Sequence, residues 1–201
     1  MDLDTPENRE ILIRDFKKLK EDSSFKINSP DSSEYNCIAW AMGFDDRWVD
    51  PLEDDYIHKK WWPDSAPKSR EPRALVSAFE CMGFELCEND ETEIGCDKVA
   101  LYKGPAYNVM TQRFESTVVW THATRVISSN LYHSKMGDSF DIYHRGGNIF
   151  EGSIYGTVFA FMRRSVEKRS ITEEIKLMPV EIPSDSDKER IARQILSFFT
   201  E

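Results

Sequence analysis

Ile11, Leu12, Phe16 and Leu19 recur at the spacing of one helix face, and Thr5-Pro6-Glu7 ahead of them supplies a capping hydroxyl and a proline pre-set for the first turn. The first element is therefore predicted to be an amphipathic helix. From Asn28 to Glu34 the run of Ser, Pro and Asp predicts a loop, which ends at the mostly apolar run Tyr35-Asn36-Cys37-Ile38-Ala39-Trp40-Ala41-Met42-Gly43. That run reads as a short buried helix closed by Gly43. Between Phe44 and Arg70 the chain is acidic and then aromatic, with Trp48, Tyr56, Trp61 and Trp62 followed by Pro63 and Pro67, and an ordered loop is expected. Glu71-Pro72 opens another helix, with Leu75, Val76, Phe79 and Met82 on one face and Gly83 at its end.

The later chain turns to strand-like runs at Val99 to Tyr102, Val118 to Ile127, Leu131 to Lys135 and Thr157 to Met162, with Gly, Asn and Ser between them. Helices first and strands later point to an α+β fold, N-terminal helices packed on an antiparallel sheet, over a doubly wound one. One domain is expected over 1–164, then a polar linker and a C-terminal amphipathic helix within 165–201, where Ser184 is a candidate cap and Ile191, Ile195, Leu196 and Phe199 form a stripe. At 201 residues a single core can serve nearly all of the chain.

A formal charge of −10 sets aside nucleic acid and anionic membranes as partners, since both require a basic face, and leaves a basic protein as a candidate partner. The opening Met1-Asp2-Leu3-Asp4 is acidic where a secretory signal is basic, and no apolar stretch approaches the roughly 20 residues that cross a bilayer. Cys37, Cys81, Cys87 and Cys96 are too few for a disulfide scaffold, and no pair has the spacing of a zinc site. The expectation is a soluble cytoplasmic protein with free thiols, no metal and no cofactor.

Chemistry then rests on Cys37 and on a base for it. A thiol becomes nucleophilic when its pKa falls, as it does at a helix start that follows a polar loop, and Cys37 occupies such a position. An inert core cysteine would look the same. Among His58, His122, His133 and His144, His122 stands out, because Val118-Val119-Trp120-Thr121-His122-Ala123-Thr124 sets an imidazole in a strand otherwise suited to the core. If Ser129-Asn130 is a two-residue hairpin turn, residue 122 faces 137 and shares a sheet face with Lys135 and His133. A loop one residue different brings Ser134 to that face instead. Asp141 is chemically the best orienter of the imidazole and is placed slightly ahead of Ser134; His144 is a second possible orienter. Trp61 and Trp62, with Asn36, are candidates for the wall of a substrate groove.

The set Asn36-Cys37-Ile38-Ala39-Trp40-Ala41-Met42-Gly43, Trp61-Trp62-Pro63, Thr121-His122-Ala123, Ser134-Lys135-Met136-Gly137, Ile142-Tyr143-His144 and Tyr155-Gly156 resembles a little-characterised, mainly bacterial family of unknown function, over roughly residues 35 to 164. At a second level, cysteine on a helix start followed by histidine on a strand is similar to the papain-like superfamily, especially its NlpC-type peptidases. That similarity implies a Cys37 nucleophile, a His122 base and a third polar residue on the next strand. The resulting expectation is a thiol hydrolase or amidotransfer enzyme acting on an amide bond of a peptide or protein substrate, with Cys37 the fastest of the four thiols toward iodoacetamide. The alternative is a non-catalytic binding, immunity or inhibitor protein that meets a basic partner through its acidic, Trp-rich surface.

Overall fold

The computed structural model of the chain describes residues 2–52, 58–108 and 110–166, all within the unit Met1–Glu167. The helix expected beyond Ser184 lies outside the described residues. Helix α1 spans Pro6–Asp15 and starts as its sequence dictates: the Thr5 hydroxyl accepts the Asn8 N–H, and Pro6 occupies the first turn. A 3₁₀ turn, Lys17–Glu21, carries Leu19 inward. Ile11, counted in the apolar stripe, remains 44% exposed, so the inward face is Leu12, Phe16 and Leu19.

Strand β1 (Lys26–Ser29) is followed by α2 (Cys37–Met42), which Asn36 caps and Gly43 ends in the left-handed conformation at φ +106°. The region expected to be loop holds a small parallel pair, β2 (Trp48–Val49) with β3 (Lys60–Trp61). Helix α3 spans Pro72–Cys81 and buries Ala74, Leu75, Ala78 and Phe79. The other strands are β4 (Glu85–Cys87), β5 (Cys96–Asn108), β6 (Arg113–Ser128), β7 (Leu131–Lys135), β8 (Asp141–Arg145) and β9 (Thr157–Ser165).

Seven strands form one antiparallel sheet in the order β1-β8-β7-β6-β5-β9-β4. The molecule is thus mixed α and β, with few helices on a large antiparallel sheet. Both faces of the sheet are covered. On one, α2 and α3 pack with Val99, Leu101, Trp120, Ala123 and Met162. On the other, α1 and the 3₁₀ turn pack with Ala100, Tyr102, Val126, Tyr132, Ile142 and Phe150. Neighbours along one strand, such as Leu101 and Tyr102, belong to opposite layers, as the period-two geometry of a strand requires.

Gly156, just before β9, crosses Gly104 so closely that a Cβ there would collide with the carbonyl oxygen of Lys103, and its φ is +70°. Gly152 also has a positive φ, +80°, but has open space around it. Gly156→Ala is expected to lower stability by about 3 kcal/mol or more, adding a backbone clash to the left-handed penalty, whereas Gly152→Ala costs only about 1 kcal/mol. Urea unfolding of the two variants beside the parent measures the difference.

Candidate functional site

Strand geometry divides the candidate residues between the two layers. Leu101 pairs with Ala123, and both belong to the core under α2; Tyr102 pairs with His122 on the opposite face. The His122 ring stacks on Tyr155 at 4.0 Å and meets Tyr102 and Phe150 edge-on, both at 5.3 Å. Cys37 sits in the other core, among Ile38, Ala41, Leu101 and Ala123. The expected Cys37–His122 pair is therefore not formed: the sheet stands between thiol and imidazole, and no hydrogen bond joins them. The sequence shows His122 as a strand residue but not which face it takes, and that depends on register.

The register follows the two-residue turn at Ser129-Asn130, with Ser128 opposite Leu131, but an extra residue at Ile127 shifts the pairing to Val126–Tyr132 and Arg125–His133. The bulge brings Ser134 to the face of His122 and sends His133 and Lys135 to the face of α2. The outcome is a closed polar group made of Thr124, Ser134, His144 and His122. Thr124 donates its hydroxyl to the His133 carbonyl at 3.0 Å, and Ser134 donates to Thr124 Oγ1 at 2.7 Å. Ser134 Oγ then has only lone pairs left, so His144 Nε2–H at 2.8 Å and, at a long 3.4 Å, His122 Nε2–H are assigned as donors to it. Both Nδ1 atoms lack partners. All four side chains are fully buried, and burial drives the pKa of His122 well below the ordinary value and that of His144 down to about 4. Both imidazoles are thus enclosed and held in the neutral form.

Asp141 takes the other side. It lies opposite Lys135 across β7 and β8, and its carboxylate accepts the Tyr35 hydroxyl at 2.8 Å while its second oxygen has no partner. Asp141 thus does not orient His122. Lys135, fully buried, donates to the Ser139 carbonyl and lies 5.1 Å from the Tyr35 ring; burial lowers its pKa. His133 fits between Trp40, met edge-on at 4.9 Å, and Tyr143, stacked at 4.1 Å. Burial first, then the charge of Arg125, lowers its pKa to about 3.

Cys37 itself is 8% exposed. Burial pushes its thiol up to about 11, only partly offset by the Ala123 backbone N–H and the Arg70 charge, which is the reverse of an activated nucleophile. Asn36 is fully engaged in structure: its Oδ1 accepts from Ala39 N–H at 3.0 Å and Val49 N–H at 3.3 Å, and its Nδ2 donates to the Val49 carbonyl. Trp62 is buried and stacked on Trp120 at 5.9 Å, and Trp61 packs edge-on against Phe44. Trp61 and Trp62 pack in the core beside α2, and Asn36 caps that helix. No group of His, Cys, Asp or Glu suited to a metal occurs among the described residues.

An open groove of about 470 Å³ occurs elsewhere, alongside β9, where Glu88, Asp90, Tyr132, Asn148, Val158 and Phe161 meet. Asp90 is held by the Tyr132 hydroxyl at 2.7 Å. Glu88 is exposed, and among the described residues nothing pairs with its carboxylate. Sequence reading missed this groove because its walls come from four separate segments with no local signature.

The model of a domain of unknown function, DUF7689, matches residues 26–163, the stretch from β1 to near the end of β9. The chain belongs to that family. No match is found among curated proteins or among solved structures. No helix among the described residues is long and apolar enough to cross a membrane.

Two measurements check the site. In native protein Cys81, which is exposed, is expected to alkylate with iodoacetamide first and Cys37 at least about tenfold more slowly, its rate climbing with pH toward 11; peptide mass spectrometry gives the order. The imidazoles make a second prediction. Their folded pKa values lie below the unfolded value near 6.5, so the unfolded chain binds more protons in acid. Stability is complete above pH 6.5 and declines as pH falls toward 4 and then 3, which urea midpoints taken at successive pH values would register.

Proposed function

We infer that the protein is a non-catalytic binding module that receives a cationic group of a basic partner in the groove beside β9. The single observation that carries this reading is the groove's chemistry: an unpaired Glu88 carboxylate and the Asp90 carboxylate stand beside the aromatic and aliphatic surface of Tyr132, Phe161 and Val158. A guanidinium or ammonium on an apolar stem fits such a surface, its charge meeting carboxylate and its stem or cation meeting the ring. The acidic balance of the chain favours encounter with a basic protein. The separation of Cys37 from His122 supports a role without acyl transfer.

A papain-like thiol hydrolase is the second reading, and one observation favours it. The Ala123 backbone N–H and the Arg70 charge both favour the Cys37 thiolate, against the larger effect of burial. In that reading the base comes from Cys37's own face, where Lys135 stands beside Asp141, and the substrate is a peptide or protein amide.

Calorimetric titration with a hexa-arginine peptide separates the two. Glu88→Lys is expected to weaken binding about threefold to tenfold at low salt, while Glu10→Lys, an equal change in net charge on α1, has a smaller effect and Cys37→Ala has none. Equal losses at Glu88 and Glu10 would reduce the interaction to net charge alone and end the groove reading.

A further inference from the structure

Strands β5 and β6 run on together beyond the rest of the sheet. On the outer side of β5, pairing with β9 ends at Lys103–Thr157; on the outer side of β6, pairing with β7 begins only at Arg125. Between these limits the two strands pair only with each other, through Pro105–Val118, Tyr107–Phe114 and Asn108–Arg113. Among the described residues no backbone hydrogen bond outside that ladder reaches 104–118. The arm exposes Tyr107 at 43%, Met110 at 93%, Phe114 at 50% and Val118 at 51%. A two-stranded ribbon with apolar side chains in water is only marginally stable alone, and its free edges are templates for another strand.

The two edges differ. Pro105 deprives β5 of a donor, the mark of an edge that stays unpaired. On the outer edge of β6 lies the run Arg113-Phe114-Glu115, whose charges have opposite sign two residues apart. Those are the only charges in 104–118, whereas the whole chain stands at −10. The arm is thus the place where two copies of an acidic protein meet with least repulsion.

We propose that β6 of one copy pairs antiparallel with β6 of a second copy through these arms, about a two-fold axis at Phe114. That register sets Phe114 against its own equivalent and Arg113 against Glu115 of the other copy, twice by symmetry. The four-stranded ribbon that results, β5-β6 followed by its symmetry mate, satisfies the open backbone edge and covers Phe114. The inference uses no part of the groove and stands independently of it.

Charge exchange in the full chain tests the pairing. Sedimentation equilibrium up to about 100 μM is expected to give a dimer for the parent, and Arg113→Glu or Glu115→Arg alone to weaken it tenfold or more, since each sets like charges opposite one another. An equimolar mixture of the two variants is expected to regain the dimer, because each Glu then meets an Arg. The mixture also guards against misfolding, since a variant that fails to fold cannot be rescued by another folded surface. A parent that remains monomeric over this range, a dimer indifferent to both substitutions, or variants that stay monomeric when mixed would each overturn the proposal.

Discussion

Side chains along a strand point alternately to its two faces, and β6 is covered on both between Trp120 and Val126. That constraint assigns Ala123 to the layer beneath α2 and His122 to the layer beneath α1, although the two residues are adjacent. A small residue at Ala123 leaves room for α2, whose Cys37 packs in the same layer. A polar one at His122 must then find hydrogen bonds inside a layer of aromatic rings. The single extra residue at Ile127 decides which of β7's side chains supply them.

The polar group so formed is nearly, but not fully, satisfied. Hydroxyl donors run from Ser134 through Thr124 to a backbone carbonyl, which fixes the tautomer of both imidazoles and leaves two bare nitrogen acceptors. A bare acceptor in the core costs on the order of 1 kcal/mol or more, and an unpaired charge far more, so both rings stay neutral. On the α2 face the same logic gives Asp141 its bond from Tyr35 and gives Lys135 the Ser139 carbonyl. Aromatic stacking around each ring then holds both networks in register.

Local chemistry made the helices legible. Thr5-Pro6, Glu71-Pro72 and Gly43 mark their boundaries because capping and left-handed closure act within a few residues. The mixed α and β class and the strand character of 118–127 and 131–135 followed from composition and alternation. The candidate site was less legible, since it required knowing which strand face each residue takes. His122 and Cys37 each occupy an element of the expected kind, yet a sheet lies between them. The two-residue turn at Ser129-Asn130 was visible, whereas the bulge two positions before it was not, because Ile127 is as good a strand residue as its neighbours. Strands β1, β4 and β8 are held by their partners more than by their own pattern; Asp141-Ile142-Tyr143-His144-Arg145 buries two ionisable side chains that would ordinarily signal a surface.

The crossing of Gly104 and Gly156 divides the β5–β6 ladder into two regimes. On one side each strand has further neighbours and packed layers above and below, so breaking its hydrogen bonds requires dismantling the core. On the other the ladder has nothing behind it but its own cross-strand contacts, chiefly Tyr107 against Phe114 at 5.1 Å. Hydrogen exchange along a single continuous strand should therefore change character within a few residues, from amides that open only with global unfolding to amides that open by local fraying. One strand thus belongs to two cooperative units, and the boundary between them is the place where two backbones meet with no side chain between them.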